Sequence, residues 1–193
     1  MIRTPLALIP WLFLAAFVAA GALWNLSSGS EVAVSSLGGP FALTDQNGAP
    51  RGDRDFRGHY VLLYFGYSFC PDVCPTTLAE MSAALDGLGT KAARVTPVFI
   101  TIDPARDTPK VLKTYVAAFG PSFVGLTGSD KAIATVAHEY RVFYAKRPLQ
   151  GGGYAMDHSG EVYLLGPDGR LLAFYDAPLD SKALQADLAK RIR

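Results

Sequence analysis

The apolar positions of this chain fall into distinct patterns along its length, and each pattern predicts a different kind of element. From Leu6 to Trp24 (LALIPWLFLAAFVAAGALW) nineteen residues pass without a charge, close to the roughly 20 that a helix needs to cross a bilayer core. Arg3 precedes the run, and the side after it, Asn25 to Glu31, is neutral to acidic. The positive-inside rule then keeps the N-terminus in the cytoplasm and exports the rest. A cleaved signal peptide is the competing reading, because Ala20-Gly21-Ala22 resembles a cleavage site. The run exceeds the usual signal core of about 7–15 residues, which favours a retained anchor. The chain is therefore expected to divide into a transmembrane anchor at 1–26, a Ser-rich tether at 27–37 and a domain at 38–193.

Within that domain the periodicity switches between strand and helix. Phe41-Ala42-Leu43 leads into Asn47-Gly48, a strong hairpin signal. Tyr60 to Gly66 (YVLLYFG) and Val95 to Ile102 (VTPVFITI) are continuous apolar runs of strand length, which predicts strands buried on both faces. Pro75 opens a helix with Leu78, Met81, Leu85 and Leu88 on one face and Gly89 as its stop. Thr108-Pro109 starts a second helix, Ser129 caps a third, and Asp180 caps a last one through Leu184, Leu188 and Ile192. Glu161–Leu165 and Arg170–Tyr175 flank Pro167-Asp168-Gly169 as a hairpin. The predicted order, ββαβαα(short β)ββα, is α/β: a thioredoxin-like mixed sheet flanked by helices, with an N-terminal transmembrane helix. A flavodoxin-like sheet needs more βα units and no terminal hairpin.

Composition narrows the function classes. The 193 residues carry 18 Lys+Arg against 17 Asp+Glu, and half are apolar, which argues against a disordered tail and against a nucleic-acid partner held by bulk charge. Two cysteines are too few for a disulfide scaffold or a four-cysteine zinc site. They occur as Cys70-Pro71-Asp72-Val73-Cys74-Pro75, where a buried strand hands over to a helix, the place where sites form in open α/β sheets. Pro75 as the first helical residue makes Cys74 the N-cap and leaves Cys70 in the loop above it. The orphan amides of the helix end then favour thiolate at both sulfurs. Three intervening residues allow a disulfide or a splayed pair around one ion, and the spacing leaves redox and metal readings open.

An exported compartment would oxidise two free activated thiols unless something reduces or occupies them. Two thiolates select Cu(I), and one neutral imidazole would complete a three-coordinate site. Of the three histidines, His59 heads the central strand and His138 lies off the apolar stripe of its helix, and both read as solvated side chains. His158 follows Gly151-Gly152-Gly153 in what reads as a long loop ending at a strand. A glycine-hinged loop suits a mobile ligand, and predicts disorder around 148–157 when no metal is bound.

Three spaced motifs together resemble the Sco/SenC family: Gly66-Tyr67-Ser68-Phe69-Cys70-Pro71-Asp72-Val73-Cys74-Pro75, Thr101-Ile102-Asp103-Pro104-Ala105-Arg106-Asp107-Thr108, and Tyr154-Ala155-Met156-Asp157-His158-Ser159. Members of that family are membrane-anchored thioredoxin-like proteins that help assemble the copper centre of cytochrome c oxidase. The resemblance implies that Cys70 and Cys74 are copper-binding cysteines and that His158 is the histidine ligand. Met156 stands where the family pattern usually has Val, and reads as apolar filler. Asp157 is a candidate for orienting the imidazole. Asp72 is a candidate helix cap or partner contact, and Asp103–Thr108 reads as a loop builder near the site.

The function that follows is a copper metallochaperone holding Cu(I), with Cu(II) as a further possibility, and passing it to the copper-site subunit of the oxidase. Another copper chaperone is a conceivable donor. The alternative is a thiol–disulfide oxidoreductase that reduces the cysteines of the target copper site, with Cys70 and Cys74 as the redox pair. The expected location is the inner membrane, single-pass, with the C-terminal domain on the periplasmic side.

Overall fold

A computed structural model of the chain describes residues 37–193. The expected anchor and nearly all of the expected tether lie outside the described residues, among which no helix is long and apolar enough to cross a membrane.

The sheet is built outward from β3, Tyr60–Gly66, in which all seven residues are buried. Its apolar run has no polar face to turn to water, so a strand must pair on each side and helices must cover it. β4, Val95–Thr101, pairs with it in parallel from Tyr60↔Val95 to Gly66↔Thr101. β8, Val162–Leu165, pairs on the other side in antiparallel sense. Beyond β4 lies β5, Val124–Thr127, again parallel, then β1, Ala42–Asp45, and β2, Pro50–Gly52. Beyond β8 lies β9, Leu171–Tyr175. The seven-stranded order is β2-β1-β5-β4-β3-β8-β9. This is the thioredoxin-like mixed sheet with flanking helices.

The helices are α1, Val73–Gly87; α2, Pro109–Ala117; α3, Asp130–Glu139; and α4, Ser181–Arg191. Thr108, Ser129 and Asp180 cap the last three through side-chain oxygens, as their positions predicted. Leu62, Phe65, Phe99, Ile100, Leu78, Met81, Leu112 and Ile133 are almost wholly removed from water in one continuous core. At roughly 1.5–3 kcal/mol for each large side chain buried, this core is the main driving force for the domain.

Three expectations change. β5 occupies the interval that read as a direct helix–helix connection; four residues ending in a Thr-Gly turn carry too little periodicity to announce a strand. α1 begins two residues before Pro75, with Asp72 at the N-cap and Cys74 inside the first turn. The first four amides of a helix need no intrahelical acceptor, so a proline in the third position costs no hydrogen bond. The third change concerns His158. It does not sit in a loop: it ends β7, Tyr154–His158, which pairs antiparallel with β6, Tyr144–Pro148, in a separate two-stranded sheet. Gly151, Gly152 and Gly153, all at positive φ, make the turn of this hairpin. The glycines curve the chain at the tip, while the histidine stands at the base.

Candidate metal and thiol centre

β3 and β4 end side by side at Gly66 and Thr101, and the loops that follow them form the site. Cys70 lies partly exposed in the first loop, its amide donating to the Tyr67 carbonyl at 3.2 Å. Cys74 enters from the first turn of α1 and is fully buried. Its sulfur rests against the end of β3, because Gly66 has no side chain: a Cβ there would lie 2.9 Å from Cys74 Sγ. The Cys74 amide, one of the orphans of the helix start, points to Cys70 Sγ at 3.5 Å.

His158 reaches the same place from β7. Its Nε2 stands 3.4 Å from Cys74 Sγ, and its Nδ1 is 2.6 Å from the Ser159 carbonyl oxygen. A carbonyl only accepts, so Nδ1 carries a proton, and when the ring is neutral its lone pair is on Nε2, facing the sulfur. The rings of Tyr64 and Tyr67 hold the imidazole edge-on, with centroids at 6.2 and 6.0 Å. The Tyr64 hydroxyl lies 3.7 Å from Cys74 Sγ.

The expectation that both sulfurs favour thiolate is half right. Cys70 is held down to about 5, first by the hydrogen bond from Cys74, with help from the amides of Asp72 and Cys74. Cys74 moves the other way, raised by that same hydrogen bond with Cys70 and then by burial. A negative charge on the outer sulfur disfavours a second one on the buried sulfur beside it. The opposed shifts favour the thiolate at Cys70 and the protonated thiol at Cys74.

Asp157 does not orient the imidazole. Strand alternation turns it to the opposite side of β7 from His158, where it pairs with Arg147 at 3.0 Å in water. The Ser159 carbonyl does that work instead. Asp72 is exposed and makes no side-chain cap, although its amide faces Cys70. Met156 is buried filler, as expected. His138 is exposed, and so is His59, which stands at the opposite end of β3, roughly 20 Å along a seven-residue strand.

The Asp103–Thr108 segment is a loop near the site with an internal Arg106–Asp103 pair, as its sequence suggested, but its links to the cysteine loop and to β7 had no signal in the sequence. The buried Asp107 carboxylate accepts from Thr101 Oγ1 at 2.6 Å, from the Ser68 amide at 3.0 Å and from the Ser68 hydroxyl. Asp103 accepts from the Tyr154 hydroxyl at 2.8 Å and pairs with Arg106. The Asp103–Thr108 motif thus fastens the cysteine loop on one side and β7 on the other.

The donor set is two sulfurs and one neutral imidazole nitrogen, which suits a soft ion. Bonds of about 2.3 and 2.0 Å, opened to a trigonal angle, place a sulfur and a nitrogen roughly 3.7 Å apart. The observed 3.4 Å between Cys74 and His158 needs only a small widening. Among the described residues no three Cys, His, Asp or Glu side chains stand close enough together to hold a metal ion as they are, so Cys70 has to move toward the other two to complete a three-ligand set. The arrangement is open, with Cys70 toward solvent.

A family model described as SCO1/SenC matches residues 30–193. The chain belongs to the SCO1/SenC family. It is 41% identical over 160 residues to the mouse mitochondrial SCO1 homolog, a match covering 81% of this chain and 56% of that protein. The chain spans about half the length of such mitochondrial relatives. Among solved structures, Arabidopsis thaliana ScoI with copper bound matches at TM-score 0.78 and 39% identity, over 81% of this chain and 98% of that one. Bradyrhizobium japonicum ScoI with copper bound matches at TM-score 0.75 and 43% identity, over 81% and 99%.

Proposed function

We propose that this SCO1/SenC protein binds copper through Cys70, Cys74 and His158 and delivers it to the copper-site subunit of a cytochrome c oxidase during assembly. The observation that carries the reading is the aim of His158: its Nδ1–H is committed to the Ser159 carbonyl, so the free Nε2 faces Cys74 Sγ at 3.4 Å. An imidazole fixed in this tautomer is prepared as a ligand. The copper-bound relatives from A. thaliana and B. japonicum support copper as the cargo. Cu(I) is the oxidation state that two thiolates prefer.

Delivery follows from exposure. Cys70 is the thiolate and the outer sulfur, so it takes the ion first and is the first to be displaced by a ligand of the acceptor. Cys74 gives up its proton as the ion settles, and His158 closes the third side. A span at Leu6–Trp24 holds the domain at the outer face of the inner membrane, next to a membrane-embedded oxidase and any donor chaperone.

A second reading rests on the uneven protonation of the cysteines. The Cys70 thiolate attacks a disulfide of the target and forms a mixed disulfide. Cys74 then passes its proton to His158 Nε2 and attacks Cys70. The target leaves with two reduced sulfurs, one taking the proton held by His158 and the other a proton from water, and a Cys70–Cys74 disulfide remains after transfer of two electrons. Both activities use one pair of sulfurs, because copper loading requires reduced target thiols.

The test is a copper titration of the full chain in detergent against a Cu(I)-chelating competitor, with Cys70→Ser, Cys74→Ser and His158→Ala beside it. One tightly held ion per native chain, and its loss in each cysteine variant, is expected. Unchanged affinity in both cysteine variants would overturn the two-sulfur site.

A further inference from the structure

The strand that carries His158 is not part of the main sheet. β7 is hydrogen-bonded to β6, and the two form a sheet of their own. A lone two-stranded ribbon is marginal in water, and no backbone ladder sets its distance from the cysteine loop. Side chains have to do that, and their contacts converge on Arg106.

The Arg106 guanidinium lies over the ring of Tyr154, the first residue of β7, with its carbon 3.9 Å from the ring centroid. Nη1 donates to the Tyr154 carbonyl at 3.0 Å. The other side of the contact is the cysteine loop: the same carbon is 4.9 Å from the Phe69 ring and 5.5 Å from the Tyr67 ring. Nε is paired with Asp103, whose second oxygen accepts from the Tyr154 hydroxyl. One planar cation thus touches the residue beside Cys70, a ring that holds His158, and the start of the strand that ends in His158. Tyr154 and His158 are four residues apart, about 13 Å along an extended strand. A rotation at the clamp is therefore displayed at the imidazole.

We propose that Arg106 is a positioning residue for the copper site: it sets the separation between the Cys70 loop and the His158 strand before any ion arrives. The inference deepens the copper-binding reading and rests on it. Only arginine fits the place. A lysine keeps the charge but not the broad guanidinium that lies among three rings, nor the second donor that bonds Tyr154 while the first holds Asp103.

The test compares the native full chain with Arg106→Lys and Arg106→Met, each also made in a His158→Ala background. Hydrogen exchange on the copper-free proteins should show the amides of 154–158 exchanging faster in both single variants, with those of β3 and β4 unchanged. Cu(I) affinity should fall about tenfold in Arg106→Met, and less in Arg106→Lys, the lower end of the range for residues that orient ligands. In the His158→Ala background the same substitutions should cost nothing further, because the side chain they misplace is gone. Native affinity in both Arg106 variants, alongside weakened binding in the cysteine and histidine variants, would overturn the positioning role and leave the copper site standing. An equal loss in the presence and absence of His158 would overturn it as well. Arg106→Lys keeps the test decisive if Arg106→Met does not fold.

Discussion

The opposed shifts of the Cys70–Cys74 pair favour a thiolate on the outer sulfur and keep the proton on the buried one. Cys70 should accordingly react first with iodoacetamide at pH 7, with a rate that falls as pH drops through about 5, while Cys74 stays unlabelled. Peptide mapping checks this, and preferential labelling of Cys74 would contradict the proton assignment. The sign for copper follows directly. Cys74 must lose its proton to bind, whereas Cys70 has already lost its own above about pH 5. Cu(I) affinity should rise about tenfold per unit between roughly pH 6 and 8, one proton being released per ion, and more steeply below about pH 5. A flat profile in a competition titration would mean that one sulfur binds alone.

The element that reaches furthest into the site is the β4–α2 connection, through the buried carboxylate of Asp107. It holds Thr101 at the end of β4 and both donors of Ser68 at the head of the cysteine loop. Asp107→Ala leaves these donors without an acceptor, which should cost about 2–3 kcal/mol of stability. Thermal unfolding of the apo protein measures it, and a loss below about 0.5 kcal/mol would show that water replaces the carboxylate freely. Elements made by local signals were legible in the sequence. β3 follows from an unbroken apolar run, the β1–β2 turn from Asn47-Gly48, and three helix starts from Thr108, Ser129 and Asp180. The β6–β7 hairpin was not legible, because Lys146, Arg147 and Pro148 face water and give its first strand no alternation. Nor was the loss of Asp157 from the site, which depends on which side of β7 it occupies. The proton split between the sulfurs needed the burial of Cys74, which no spacing reveals.

At the scale of the whole molecule, the sheet places Cys70, Cys74 and His158 at the carboxyl ends of β3 and β4, although His158 follows Cys70 by 88 residues in sequence. Two of the three candidate ligands come from one loop and helix start, and the third from an independent ribbon, so an ion bound by all three would draw together parts that no ladder joins. The proposed anchor would hold this site near one membrane face. The full chain should therefore stay with the membrane fraction through a high-salt wash, since an apolar span does not depend on screened charge. Mature protein starting near Leu23 in the soluble exported fraction would instead show a cleaved signal. His158 is the residue that separates copper binding from dithiol chemistry alone, and the direct measurement is a paired titration of native and His158→Ala protein. Copper is followed by competition and the dithiol by redox equilibration. The substitution should weaken Cu(I) binding at least about a hundredfold, while Cys70 and Cys74 still cycle between thiol and disulfide. Native copper affinity in the His158→Ala protein would contradict the three-ligand site and leave the oxidoreductase reading in its place.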